Sequence, residues 1–146
     1  MSVTASHRYR LPGAATRAEA VLALAYSTGA AALAGVAVVH MQQYAEVVHA
    51  VRWIGPLFLA LAAACAAIVV ALAFPPTRQL AALAGVVTST LALGGLVVSY
   101  GRPLFGWQET GFRTAIAVGV IAEVLATIAL TLALTIAAAR RREPIG

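Results

Sequence analysis

The stretch "HMQQYAEVVHAVRW", from His40 to Trp53, holds two of the chain's three histidines with a glutamate, an arginine, two glutamines and two aromatic residues. Imidazole and carboxylate together suit zinc or copper. Glu46 and His49 stand in an E-x-x-H spacing, which places both on one helical face. Di-iron bundles use that spacing twice and add two further glutamates; this chain has a single copy. Its other candidate ligands are His40, Glu109 and Glu123. A mononuclear metal site would draw on His40, Glu46 and His49. A haem would take both loop histidines axially, leaving no spare and no helix pair facing the ring.

A plainer account competes. Projected at about 100° per residue, Tyr44, Val47, Val48 and Val51 share one face, while Gln42, Glu46, His49 and Trp53 fall opposite. That pattern is an amphipathic helix over residues 42–53 lying in the outer headgroup layer. On this account no metal, haem or other cofactor is expected, and the metal or haem site stays as the alternative.

A second polar loop reads "SYGRPLFGWQETGFR". Gly101, Pro103, Gly106 and Gly111 break it into turns. Glu109 and Arg113 stand four apart in the favoured acid-first order at a helix start. Arg52 and Arg102 have no evident partner in the sequence, so lipid phosphate, Glu46 and Glu109 are all candidates.

Glu123 is the third point where chemistry is possible. It lies about nine residues into an apolar run, roughly 13 Å deep at 1.5 Å per residue. A charge at that depth costs at least about 2.5–3.5 kcal/mol on insertion scales, so the neutral acid is favoured. Thr127 and Thr131 continue its face, and this polar stripe should meet the bundle or a partner. One role is a proton or cation carrier. The other, preferred here, is a protonated structural acid bonded to Thr88, Ser89 or a neighbouring backbone carbonyl. Thr88, Ser89 and Thr90 can also bond to carbonyls one turn back.

The elements that must position these residues follow from composition. Of 146 residues 62% are hydrophobic and 10% charged, against about 25% charged in soluble domains; mean hydropathy is +0.91. The expected fold is all-α, an integral-membrane, up-down four-helix bundle. Its spans cover residues 20–39, 54–74, 80–98 and 114–139, each near the 20 or so residues that cross a bilayer. A basic segment, 1–19, precedes the 20–139 transmembrane domain, and a basic tail, 140–146, follows it. Cleavage after the first run is disfavoured because that run exceeds a signal h-region. Cys65 lies inside an apolar run and excludes an intrachain disulfide.

All ten basic residues are arginine, and the net charge is +5. Arg8, Arg10, Arg17, Arg78, Arg140, Arg141 and Arg142 fall on one side of a four-span chain; Arg52, Arg102 and Arg113 fall on the other. Seven against three places both termini in the cytoplasm. The basic residues flank apolar runs, which points to lipid heads rather than nucleic acid. Small residues at four-residue spacing should bring the helices together: Ser27, Ala31 and Gly35; Ala60 and Ala64; Ala81, Gly85 and Ser89; Ala115 and Gly119. "FPPTRQ" is too short for anything but an antiparallel α-hairpin, and its prolines end the second span.

His40, His49, Trp53, Gly55 and Phe58, then Ser99, "GRPLFG", Glu109 and Glu123, resemble a group of small four-span membrane proteins of unassigned function from high-GC, actinobacterial-type genomes. The resemblance covers most of residues 20–139. It implies a four-span fold in a bacterial cytoplasmic membrane, brings no activity, and implies that the outer histidines and acids matter jointly. No nucleophile–base pair, phosphate loop or cofactor fingerprint is present. The expected role is a non-catalytic accessory, assembly or structural subunit, in a homo-oligomer or with another membrane subunit. The alternative is a small transporter or a lipid-, quinone- or metal-binding bundle using Glu123 and the outer polar loops.

Overall fold

A computed structural model describes residues 17–142; Arg8, Arg10 and the last four residues lie outside the described residues. The chain forms α1 (Arg17–Gln43), α2 (Ile54–Ala73), α3 (Arg78–Gly101) and α4 (Thr114–Arg142), with a π-helical turn at Tyr44–Val48. All four helices are long and apolar enough to span a membrane. Neighbours run antiparallel: Arg140 near the end of α4 pairs with Glu19 at the start of α1, 3.1 Å apart. One end of the bundle therefore carries Arg17, Arg78 and Arg140–Arg142, the terminal end. The other, the loop end, carries Arg52, Arg102 and Arg113.

The expected interfacial helix over residues 42–53 is corrected. The apolar run stops at Val39, but the helix does not: α1 continues through His40, Gln42 and Gln43 and passes without a break into the π turn. Residues 49–53 only turn the chain toward α2. The two faces fall as the projection placed them, with Val48 buried and Gln42, Glu46, His49 and Trp53 exposed. Gly55 closes this turn. A Cβ there would lie 2.8 Å from the Val48 carbonyl oxygen, so only glycine lets α2 start so close to the end of α1.

At the terminal end, Pro75 and Pro76 follow the last residue of α2, whose final carbonyls would otherwise lack donors. Thr77 Oγ1 donates to the Ala71 carbonyl at 2.7 Å, and Arg78 Nε donates to the Leu72 carbonyl at 2.9 Å. The Arg78 guanidinium also lies 5.5 Å from the Tyr26 ring centroid. Arg78 thus caps the helix before it as well as adding to the charge bias.

The helices form a ring, α1–α2–α3–α4, in which α1 and α4 pack most extensively and α2 and α3 least. Fully buried Leu130 of α4 is the interlock of the lower half. A Cβ on Gly29 of α1 or on Gly85 of α3 would collide with its side chain. Of the expected small-residue ridges, Ala81–Gly85–Ser89 is buried as read, and Gly119 is buried with Ala115 partly so. Two ridges are corrected. Ser27 and Ala31 face outward, as do Ala60 and Ala64; the packing face of α1 is instead Ala25, Gly29, Ala32, Leu33 and Val36. On α4 the buried line drifts from Glu123 through Ala126 and Leu130 to Ala133, leaving Thr131 exposed. Helical drift of a four-residue spacing is the reason, since 3.6 residues make a turn.

The interlock predicts non-additive stabilities. Gly85→Ala should cost about 1–3 kcal/mol by overpacking, and Leu130→Ala about 2 kcal/mol or more through the cavity it leaves. The double variant should lose clearly less than the sum, because a smaller residue 130 makes room for the new methyl group. Unfolding titrations in mixed micelles measure all three; strict additivity would show that these residues do not interlock.

Candidate functional site

Toward the loop end the four helices enclose a gap. The result is a cavity of about 560 Å³, within the range of roughly 300–1,000 Å³ typical of small-molecule sites. Its walls are mostly apolar. Leu57, Ala60 and Ala64 line it from α2, and Thr88, Leu91 and Ala92 line it from α3. Of these, Leu57, Ala60, Ala64 and Leu91 are exposed, with Leu91 at 70%. The cavity therefore opens sideways between α2 and α3, on the surface that a bilayer would cover.

The wall opposite that opening is the α1–α4 seam, and it carries His40 and Glu123 among apolar neighbours. His40 follows Val36 by one turn on the buried face of α1, and Glu123 follows Gly119 by one turn on that of α4. His40 is eight residues below the end of the π turn and Glu123 nine below the start of α4. At 1.5 Å per residue both sit about 12–14 Å from the loop end. They meet: His40 Nε2 is 3.7 Å from Glu123 Oε1, with both residues buried. The gap exceeds a hydrogen bond. His40 Nδ1 lies 2.9 Å from the Val36 carbonyl oxygen. A carbonyl only accepts, so Nδ1 carries a hydrogen, and in the neutral imidazole Nε2 presents its lone pair to Glu123 and the cavity. The Phe58 ring holds the imidazole from α2, with centroids 5.0 Å apart.

Above this pair the 102–113 loop folds over the cavity. Leu104 and Trp107 exchange two backbone hydrogen bonds, 2.7 and 2.9 Å, around Phe105 and Gly106, whose φ values are 50° and 85°. That is the left-handed pair a two-residue hairpin turn requires, and glycine supplies one half without strain. Leu104, Phe105 and Trp107 lie over the cavity. The lid is tied down at several points. Tyr100 Oη donates to the Gly111 carbonyl at 2.9 Å, and the Glu109 amide donates to the Ser99 carbonyl at 3.1 Å. The Glu109 carboxylate pairs with Arg113 at 2.9 Å, and Arg113 Nη1 donates to Gln43 Oε1 at 3.3 Å.

The sequence-predicted residues thus divide into three groups. Glu109 and Arg113 form the expected i,i+4 pair and, with Gln43, close the lid. His40 and Glu123 come together, with Thr88 lining the same cavity. The rest of the outer set stays apart: Glu46 Oε1 accepts from exposed Gln42 at 3.1 Å, His49 and Arg102 are exposed, and the Arg52 guanidinium lies 5.1 Å from the centroid of the Trp53 ring. His40 is not gathered with Glu46 and His49, because it points into the bundle while they point out. Among the described residues no three His, Cys, Asp or Glu side chains gather around a metal position.

Two expected hydrogen bonds are corrected. Thr90 does bond one turn back, to the Val86 carbonyl at 2.8 Å, but the buried Ser89 hydroxyl has no partner. Thr127 bonds to the Glu123 backbone carbonyl at 2.8 Å, and the Glu123 carboxyl faces His40 rather than Thr88 or Ser89. Gln43, Phe58 and Ser99 escaped the sequence reading as site residues. The sequence carried no signal for the His40–Glu123 pair: its apolar run ends at Val39 and leaves His40 at the surface, and only the continuation of α1 to Gln43 and of the π turn to Val48 brings the two side chains level. Comparison of the chain with protein-family models, curated proteins and solved structures gave no match.

Proposed function

We propose that this chain is a multi-pass protein of a bacterial cytoplasmic membrane, with both termini inside, that takes an amphipathic, membrane-dissolved molecule into the cavity between α2 and α3. The observation that carries this reading is the cavity's asymmetry. Its mouth is apolar and faces the lipid belt, its far wall bears His40 and Glu123, and its top is shut by the 102–113 loop. A water-borne substrate meets the closed end; a lipid-borne one meets the open side. The role is non-catalytic, a binding or carrier bundle, which gives the ligand-binding alternative more support than the accessory-subunit expectation.

A second reading has one observation in its favour. Ser27 and Ala31 form a small-residue ridge that faces outward on α1, and such ridges let another membrane helix approach closely. A second copy or another membrane subunit would seat there, away from the cavity mouth.

Orientation is tested by labelling a cysteine at exposed His49 in intact cells, with Cys65 replaced by alanine. An impermeant reagent added outside should modify it; modification only after the membrane is opened would reverse the topology. Ligand uptake is tested by extracting the protein into native-lipid nanoparticles and measuring bound small molecules by native mass spectrometry. A stoichiometric apolar molecule should accompany the unaltered chain and be lost from Ala64→Phe, which fills the mouth from α2. A chain that carries nothing, or an Ala64→Phe variant that keeps its cargo, would refute the cavity reading.

A further inference from the structure

The ligand's head group can be read from what the cavity offers it. This inference rests on the cavity reading above and narrows the occupant. Start with charge. At the loop end the charged residues that line the cavity are Glu109 and Arg113; they satisfy each other at 2.9 Å, and Gln43 takes a further guanidinium hydrogen. Arg52 and Arg102 are exposed at the same end but do not line the cavity, so no uncompensated arginine faces into it for a phosphate or a fatty-acid carboxylate. An anionic head would have to break a part-buried ion pair or enter unpaired, and either is costly in a low-dielectric wall.

Hydrogen-bonding capacity comes next. His40 has spent its Nδ1 hydrogen on the Val36 carbonyl, so Nε2 is an acceptor. Glu123 as the neutral acid supplies one O–H donor and a carbonyl acceptor, and its 3.7 Å separation from His40 leaves these groups unjoined. The pair can therefore donate one hydrogen bond and accept another. A head bearing C=O takes the Glu123 hydrogen; a head bearing O–H gives its own to His40 Nε2. Shape completes the case. The Phe58 ring against His40 and the Trp107 and Phe105 side chains at the lid give flat aromatic walls, and the lateral mouth gives an apolar tail a way into the bilayer.

We infer that the occupant is a lipid-soluble quinone or its quinol: an uncharged, planar oxygen head anchored between His40 and Glu123, with its apolar tail leaving between α2 and α3. Two forms of one molecule that exchange C=O for O–H are matched by a wall that both donates and accepts.

The test uses the full chain with Trp53→Phe, so that Trp107 at the cavity is the remaining indole, reconstituted in phosphatidylcholine nanodiscs. Decylubiquinone is titrated while Trp107 emission is followed. Saturable quenching is expected, and it should not be displaced by excess dodecanoate or phosphatidylglycerol. Glu123→Gln keeps a donor and an acceptor, so it should hold affinity within about threefold, whereas Glu123→Leu should weaken binding about tenfold, the scale of a lost buried hydrogen bond. Equal affinities for the glutamine and leucine variants would overturn the anchor. The competition arm needs no variant at the site. If dodecanoate or phosphatidylglycerol displaces decylubiquinone, the cavity reading survives and the quinone inference falls. If none of the three binds, both fall.

Discussion

The seam between α1 and α4 is the contact on which the rest of the structure depends. In a bilayer, apolar side chains gain little by leaving lipid for another helix, so close approach and polar contacts must hold a bundle together. The α1–α4 seam has both. In its lower half Leu130 locks over Gly29 and reaches across to Gly85. Higher up, Gly35 lies against Ala122, and Gly119 against Val39. Only helices this close can bring His40 and Glu123 level and within 3.7 Å. On the opposite side of the ring α2 and α3, joined by a four-residue turn at the terminal end, pack least extensively of the ring neighbours, and the cavity lies against them toward the loop end.

That cavity has a chemical consequence. A cavity between apolar helices fills with lipid tails and needs no explanation. One whose back wall bears a buried imidazole and a buried acid is different, because polar groups placed away from water are costly unless something satisfies them. The Val36 carbonyl orients the imidazole, and Phe58 packs against it. The Glu109–Arg113–Gln43 cluster ties the loop over them, so on the proposed function a satisfying partner would enter from the side. Ser89 marks the contrast. Its unpartnered hydroxyl is buried in the α3 core and is not among the groups lining the cavity, so it stores a local cost without offering a site.

Several parts of this were legible in the chain itself. Run length and the lack of charge within the first three runs located all four helices, with the start of α2 and of α4 at Ile54 and Thr114 as read. Pro75 and Pro76 marked the end of α2 to within a residue, because proline cannot continue a helix. The Glu109–Arg113 pair was read as one turn of helix; it forms, but across the non-helical segment 109–113 that leads into α4. What failed had physical causes. Hydropathy ends a span where apolar residues end, but backbone hydrogen bonding carries α1 on through His40 to Val48. Small-residue ridges were misassigned on α1 and α2 because almost every face of an alanine-rich helix contains one. With lipid outside and protein inside both apolar, composition carries little contrast between them. The His40–Glu123 contact joins residues 83 apart in sequence, and they stand at equal depth only because α1 runs on past the end of the apolar run.

The central claim is that His40 and Glu123 form one polar wall, with the imidazole held in the Nδ1–H form and Nε2 bare. Solid-state NMR on the chain in lipid bilayers, labelled at the histidine nitrogens and glutamate carboxyl carbons, tests it directly. The predicted spectrum shows a protonated Nδ1, an unprotonated Nε2, and dipolar transfer between Nε2 and the Glu123 carboxyl carbon consistent with the 3.7 Å nitrogen–oxygen approach. A hydrogen on Nε2 with Nδ1 bare, or no transfer to Glu123, would contradict the account.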